Sequence, residues 1–263
     1  MKKYILTDET IEYDNRILHR IEAVKDFAFV KSGDKGGFIE NEKNLSHLGD
    51  AWVWEDAKVY ENAIVYENAQ VLGNAEVNGN TQIYGNAGVN GNTRIHENAE
   101  VSGNAWVGGN AEISGGAWIY ERAWIYGNAK VSGNAWISGR ADVSEKAWIY
   151  GAALVGGDAK IRGNAEVCGN TKIRGNTSIG GEAKVASDDD IATISNFGTR
   201  NRPTAFFRSK DGGILVKCGC FLGSLEEFRE QVRETRNGYF AEEYLMIADL
   251  MEMRFKNREG KNG

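Results

Sequence analysis

Ala129-Lys130-Val131-Ser132-Gly133-Asn134 is followed at once by Ala135-Trp136-Ile137-Ser138-Gly139-Arg140, the same six-residue phrase with some of its letters changed. Stepping by six in both directions from Val131 reaches Val53 and Ile191, and each of the twenty-four positions is Val or Ile. Two residues before each stands a small side chain. It is Ala at nineteen positions, Thr at Thr81, Thr93, Thr171 and Thr177, and Asp189 at the last. Phe197, with Ser195 before it, continues the series and is expected to plug its end.

On a short strand, residues two apart point the same way. The small and the branched residue of each hexad therefore face inward, and the neighbours of the branched residue face out. Pairs such as Gly73-Asn74 and Gly163-Asn164 supply corners, because Gly and Asn tolerate left-handed backbone. Each buried Val or Ile contributes about 1.5–3 kcal/mol before entropy is subtracted. The 33 glycines with a single proline, Pro203, exclude collagen, which needs Gly at every third position. A period of five, the mark of a square pentapeptide helix, does not fit.

In units such as Val131-Ser132-Gly133-Asn134-Ala135-Trp136 the chain resembles the hexapeptide-repeat, left-handed β-helix superfamily over rather more than half its length. The resemblance implies a triangular left-handed parallel β-helix with three hexads per coil. About eight coils at ~4.8 Å give a rod on the order of 38 Å long. It also implies a homotrimer, since proteins of this superfamily are typically trimers. The expected organisation is mainly β: an N-terminal β cap over residues 1–50, the β-helix over 51–198, and a C-terminal ββαα extension over 199–263.

The ends lack the period, and a solenoid needs them as caps because its end faces are unpaired edges and open core. Tyr4–Leu6, Thr10–Tyr13 and Ile17–Ile21 read as short strands with a turn at Asp14-Asn15. Leu6-Thr7-Asp8-Glu9-Thr10-Ile11, Arg20-Ile21-Glu22-Ala23, Gly33 to Glu40 and Asn44-Leu45-Ser46 resemble hexapeptide-repeat proteins carried by bacteria and their phages. After Pro203, Thr204–Ser209 and Ile214–Cys218 predict a hairpin. Ser224 with Glu227 predicts a capping box opening a helix with Leu225, Phe228 and Val232 on its apolar side. A second helix after Asn237-Gly238 is expected to bury Phe240, Tyr244, Ile247, Leu250, Met251 and Phe255.

With three hexads per coil, residues eighteen apart stack in columns. One column runs Lys58, Glu76, Arg94, Glu112, Lys130, Trp148, Glu166, Lys184, alternating in sign wherever charged, and predicts a self-paired solvent face. A second face carries Trp52, Trp54, Leu72, Trp106, Trp124 and Tyr126; the third carries Ile64, Tyr66, Tyr84, Trp118, Tyr120, Trp136 and Leu154. Trp106 with Trp124, and Trp118 with Trp136, are expected to stack. So many outward aromatics would make an unusually large apolar patch on a monomer. Trp106, Trp124, Tyr126, Trp118, Tyr120 and Trp136 are therefore the candidate contact residues for other subunits, a host protein or a small ligand such as a nucleotide or sugar.

The net charge of −6, with both signs interleaved, points away from nucleic acid as a partner. Cys168, Cys218 and Cys220, an odd count, argue against a disulfide framework, and Cys218-Gly219-Cys220 lacks further ligands at metal-site spacing. No signal peptide or membrane span is expected, which reads as a cytoplasmic chain. Many superfamily relatives are acyl-CoA-dependent transferases with a histidine general base. By that resemblance His96, the one histidine in the solenoid, would be the catalytic group, with acetyl-CoA as cofactor and a sugar or small amine as acceptor. The hexads carry no inserted loop of the kind that walls the acceptor pocket in those enzymes. The favoured expectation is a non-catalytic oligomeric binding or scaffold protein without cofactor or metal, which the resemblance of the opening segment links to phage accessory factors.

Overall fold

The computed structural model describes residues 2–199 and 201–259. Strands β1 (Tyr4–Tyr13), β2 (Arg16–Ala23) and β3 (Lys35–Ile39) precede twenty-three two-residue strands, from β4 (Trp52–Val53) to β26 (Lys184–Val185), each ending on the Val or Ile of the series. From β4 to β23 each pairs in parallel with the strand eighteen residues on, so that Val89 lies between Val71 and Val107. The result is a β-solenoid of about eight turns with three sheets, of eleven, eight and seven strands.

Alternation decides what the tube holds. Every Val or Ile of the series from Val53 to Val185 is buried, and so is the small residue two before it. The four threonines fit because each hydroxyl donates to the carbonyl three residues back. Thr81, Thr93 and Thr171 do so at 2.6 Å to Asn78, Asn90 and Cys168, and Thr177 at 2.8 Å to Arg174. A buried hydroxyl left without such a partner would cost about 1–3 kcal/mol.

The corners are more varied than Gly-Asn. The residue two beyond each Val or Ile has positive φ from Glu55 to Gly181, and it is either Gly or Glu. Beside it, Asn74, Asn92, Asn110 and Asn128 form a ladder, each amide donating to the next at 3.0–3.2 Å.

Both ends are closed. At the start, β1 and β2 form one antiparallel hairpin through Asp14 and Asn15, both at positive φ. The expected breaks within β1 amount to a register shift between Leu6 and Thr10. β3 pairs with β2 and then in parallel with Lys58–Val59, so the cap extends one solenoid sheet. Tyr4, Ile21, Ile39 and Leu45 join the solenoid core there. The Lys3 ammonium donates to the Ala51 carbonyl at 2.7 Å, and burial lowers its pKa to about 8.

At the far end the expectation needs correcting. Ile191 does not line a last coil: β27 (Ile191–Ile194) turns into an antiparallel sheet with β28 (Thr204–Arg208), β29 (Ile214–Cys218) and β30 (Phe221–Ser224). Phe197 is not the plug. It packs on Tyr244 at 5.2 Å in a separate core, and the solenoid end is closed by Ala205 and Phe207. The hairpin is thus the middle of a four-stranded sheet whose two faces serve two cores.

Helix α1 (Leu225–Thr235) begins at Ser224, where both halves of the capping box are formed with Glu227. It buries Leu225, Phe228 and Val232. Helix α2 (Gly238–Glu259) buries Tyr244, Ala248, Met251 and Phe255, one stripe at helical spacing. Leu250, expected on that stripe, is exposed because its position falls off it; Phe240 keeps the spacing, four residues before Tyr244, but lies exposed in the first turn of the helix. Neither described helix is long and apolar enough to cross a membrane.

Candidate functional site

Two-residue strands have room for few outward side chains, and on the middle coils these are aromatic on all three faces. On the seven-stranded sheet Trp118 and Trp136 are Cα partners, 41% and 42% exposed. Their rings stack at 5.1 Å and 14°, while Tyr120 meets Trp136 edge-on at 6.5 Å. Below them the Tyr84 hydroxyl donates to the Glu100 carboxylate, and that bond, with some burial, holds the phenol above its ordinary pKa. Tyr84, Glu100, Ser102, Trp118, Tyr120 and Trp136 enclose an open cleft of about 270 Å³.

Trp106, Trp124 and Tyr126 lie on the neighbouring eight-stranded sheet, so the six candidate residues form two groups of three rather than one site. Trp106 and Trp124 are Cα partners, but their rings do not stack as expected. The Trp106 indole leans back over Gly88, where a Cβ would lie only 2.4 Å from its ring carbons. That backbone is the better seat because it has no side chain in the way. Trp124 is left as the most exposed tryptophan, at 57%. Tyr126 reaches Asp142, which also accepts from Arg162 at 2.6 Å.

Trp52 corrects the column reading more strongly. It points out of the tube yet is 0% exposed, because Tyr4 and Phe27 of the cap close over it at 6.0 and 5.4 Å. The cap segment has no period, so the hexad phase of Trp52 carries no sign of that cover.

The charged face is self-paired only in its middle. Arg94 meets Glu76 at 3.7 Å and Lys130 meets Glu112 at 2.8 Å; the Lys130 contact lowers the pKa of Glu112. Elsewhere the ends intrude. Tyr13 of the cap takes Glu76 at 2.6 Å and Lys58 lies over the Tyr13 ring. Glu166 pairs at 2.8 Å with Lys210 from the C-terminal sheet rather than with Lys184. Trp148 interrupts the charges with its ring 4.4 Å from Tyr150, and the two complete an aromatic belt around the rod. Its signal was the one uncharged member of the column. Hydrogen bonding with the Cys168 thiol, helped by burial, pushes the Tyr150 hydroxyl up to about 12.

His96 also stands on this face, half-buried, with Nε2 3.7 Å from Glu112. It lies on a different sheet from the Trp118 cleft, and the structure does not bring the two together. Cys218 accepts from the Thr204 hydroxyl at 3.2 Å, and Cys220 is exposed.

Among known proteins, the family model described as YdcK Beta solenoid repeat matches residues 81–97, about one coil. No curated protein matches the chain. The matched coil and the parallel stack that continues it to either side make this a β-solenoid repeat protein.

Proposed function

We propose that the protein is a non-catalytic, oligomeric binding scaffold, a homotrimer in which the aromatic belt packs against further copies of the chain. The observation that carries this reading is the stacked pair Trp118 and Trp136, left two-fifths exposed in an apolar cleft beside Tyr84 and Tyr120. Indole rings in water are unfavourable by about 25 cal/mol for each Å² that a partner could cover. Three faces carrying them at one level of a rigid rod fit lateral association of rods better than a single ligand pocket. Clefts between subunits are common ligand sites, so the same belt would serve capture of a host protein or small ligand once the rods assemble. The phage-linked setting rests on the resemblance of the opening segment alone.

Light scattering on the full chain tests this. Wild-type protein is expected at three times the 28.9 kDa chain mass. Trp118→Ala combined with Trp136→Ala is expected to give folded monomer with an unchanged far-ultraviolet spectrum. A wild-type protein that is monomeric at all accessible concentrations would overturn the reading.

A further inference from the structure

A second cavity lies away from the tryptophans, where the last coils of the eight-stranded sheet meet the C-terminal sheet. Its volume is about 430 Å³, in the range of small-molecule sites. Three elements far apart in sequence each bring a cation to it: Lys160 from the solenoid, Arg202 from the loop before Pro203, and Lys217 from β29. Asn176, Ser178 and Thr193 add amide and hydroxyl groups, and no Asp or Glu lines the space.

This clustering runs against the composition, since the chain as a whole carries a net charge of −6. Lys160 lies in the field of Asp158 and is the cross-strand partner of Asp142, yet none of the three cations is held in a close ion pair. Arg162, a fourth lining residue, is bound to Asp142 at 2.6 Å, whereas Lys160, Arg202 and Lys217 make no ion pair among the described residues. Lys210, held between Glu166 and Glu182, shows the pairing that an acidic neighbour within reach would give. Three like charges converging on one concavity repel one another, and an anion between them relieves that repulsion.

We propose that this cleft binds a small phosphorylated sugar or polyol. The phosphoryl group would lie among Lys160, Arg202 and Lys217, since ammonium and guanidinium groups make charge-assisted bonds to phosphate oxygens. The hydroxyls of the ligand would meet Asn176, Ser178 and Thr193, which can both donate and accept. No aromatic side chain lines the cavity, so nothing there would stack on a base, and the chemistry selects a sugar phosphate over a nucleotide. The site shares the eight-stranded sheet with Trp124, two rungs from Lys160, but none of its lining residues is a tryptophan, so it is tested separately from the assembly.

Calorimetric titration of the full chain at low salt tests the proposal, with glucose 6-phosphate, glucose, inorganic phosphate and adenosine monophosphate as probes. Glucose 6-phosphate is expected to bind, glucose to give no heat, and the other two to bind at least several-fold more weakly. Lys160→Ala and Arg202→Ala should each weaken binding about tenfold or more, the effect of losing one charge-assisted contact. Lys217→Arg should largely preserve it. Lys172→Ala, an exposed lysine on another face, should leave affinity unchanged. Added salt should weaken binding through screening. No heat with any phosphorylated probe would overturn the proposal, as would undiminished affinity in the Lys160→Ala, Arg202→Ala double variant. Adenosine monophosphate or inorganic phosphate binding as tightly as the sugar phosphate would overturn the ligand class.

Discussion

The Glu121 carboxylate accepts a hydrogen bond from the backbone N–H of Gly139, one coil further on, at 2.6 Å. Glu121 sits at φ +60°, a conformation that ordinarily favours glycine, in the same hexad phase as Gly139 itself. The arrangement recurs wherever Glu occupies a corner. Glu55, Glu61, Glu67, Glu97 and Glu145 bond the N–H of Gly73, Gly79, Gly85, Gly115 and Gly163 at 2.6–2.9 Å. Glutamate thus stands where the backbone is left-handed and offsets its cost by tying two coils together.

Opposite outcomes are therefore expected from two substitutions at one corner. Glu121→Gly relaxes the backbone while losing the bond, and stability should stay within about 1 kcal/mol of wild type. Glu121→Val keeps the left-handed demand, adds a branched side chain and loses the bond, and should cost about 2 kcal/mol or more. Urea unfolding followed by circular dichroism distinguishes them; equal costs would contradict the account.

Trp52 and Trp118 occupy the same hexad phase but should respond differently. Trp52→Ala opens a cavity under the cap, between Tyr4 and Phe27, at a cost of about 3–5 kcal/mol. Residues 2–50 should then become sensitive to limited proteolysis. Trp118→Ala removes a half-exposed ring and its stacking on Trp136, about 1 kcal/mol within one chain. Equal protease resistance of wild type and Trp52→Ala would show that the cap does not depend on that indole.

The C-terminal helices should carry an acid-dependent contact. Lys256 on the same helix and Arg229 on α1 hold the Glu252 carboxyl down to about 2, against 4.5 for the ordinary side chain. Arg229 also bonds Asp249 at 2.7 Å, so the pair belongs to a network between α1 and α2. A carboxyl depressed on folding contributes fully above about pH 4.5, and that contribution is lost as pH falls toward 2. Helix loss followed at 222 nm should therefore depend on pH more steeply across that window in wild type than in Glu252→Gln. High salt should narrow the difference, because Lys256 is exposed and Glu252 is partly open to water. Parallel pH profiles would contradict the assignment.

The solenoid was legible because each residue's surroundings depend almost entirely on its place in the hexad. Val131 and Ile137 are buried for the same local reason, and no distant segment alters it. Where distant segments do intervene, the phase misleads. Trp52 is covered by the cap, Ile191 is drawn into a sheet by β28, and the role expected of Phe197 falls to Phe207. The corner glutamates were readable in principle, since they share the phase of the corner glycines, but their bonds cross between coils. Of the two aromatic groups, only Trp118, Tyr120 and Trp136 meet as their columns imply; Trp106 turns onto Gly88, a vacancy visible only when the coil beneath is considered.

The most direct test of the outward tryptophans as an assembly surface is oxidative footprinting of native protein, quantified residue by residue above and below the concentration at which it dissociates. Trp118, Trp124 and Trp136 are expected to be shielded in the assembly and to become reactive on dilution, with Trp52 unreactive in both states. Equal reactivity of Trp118 and Trp136 at every concentration, with Trp52 still protected, would leave the solenoid standing and remove its aromatic belt from any role in holding copies together.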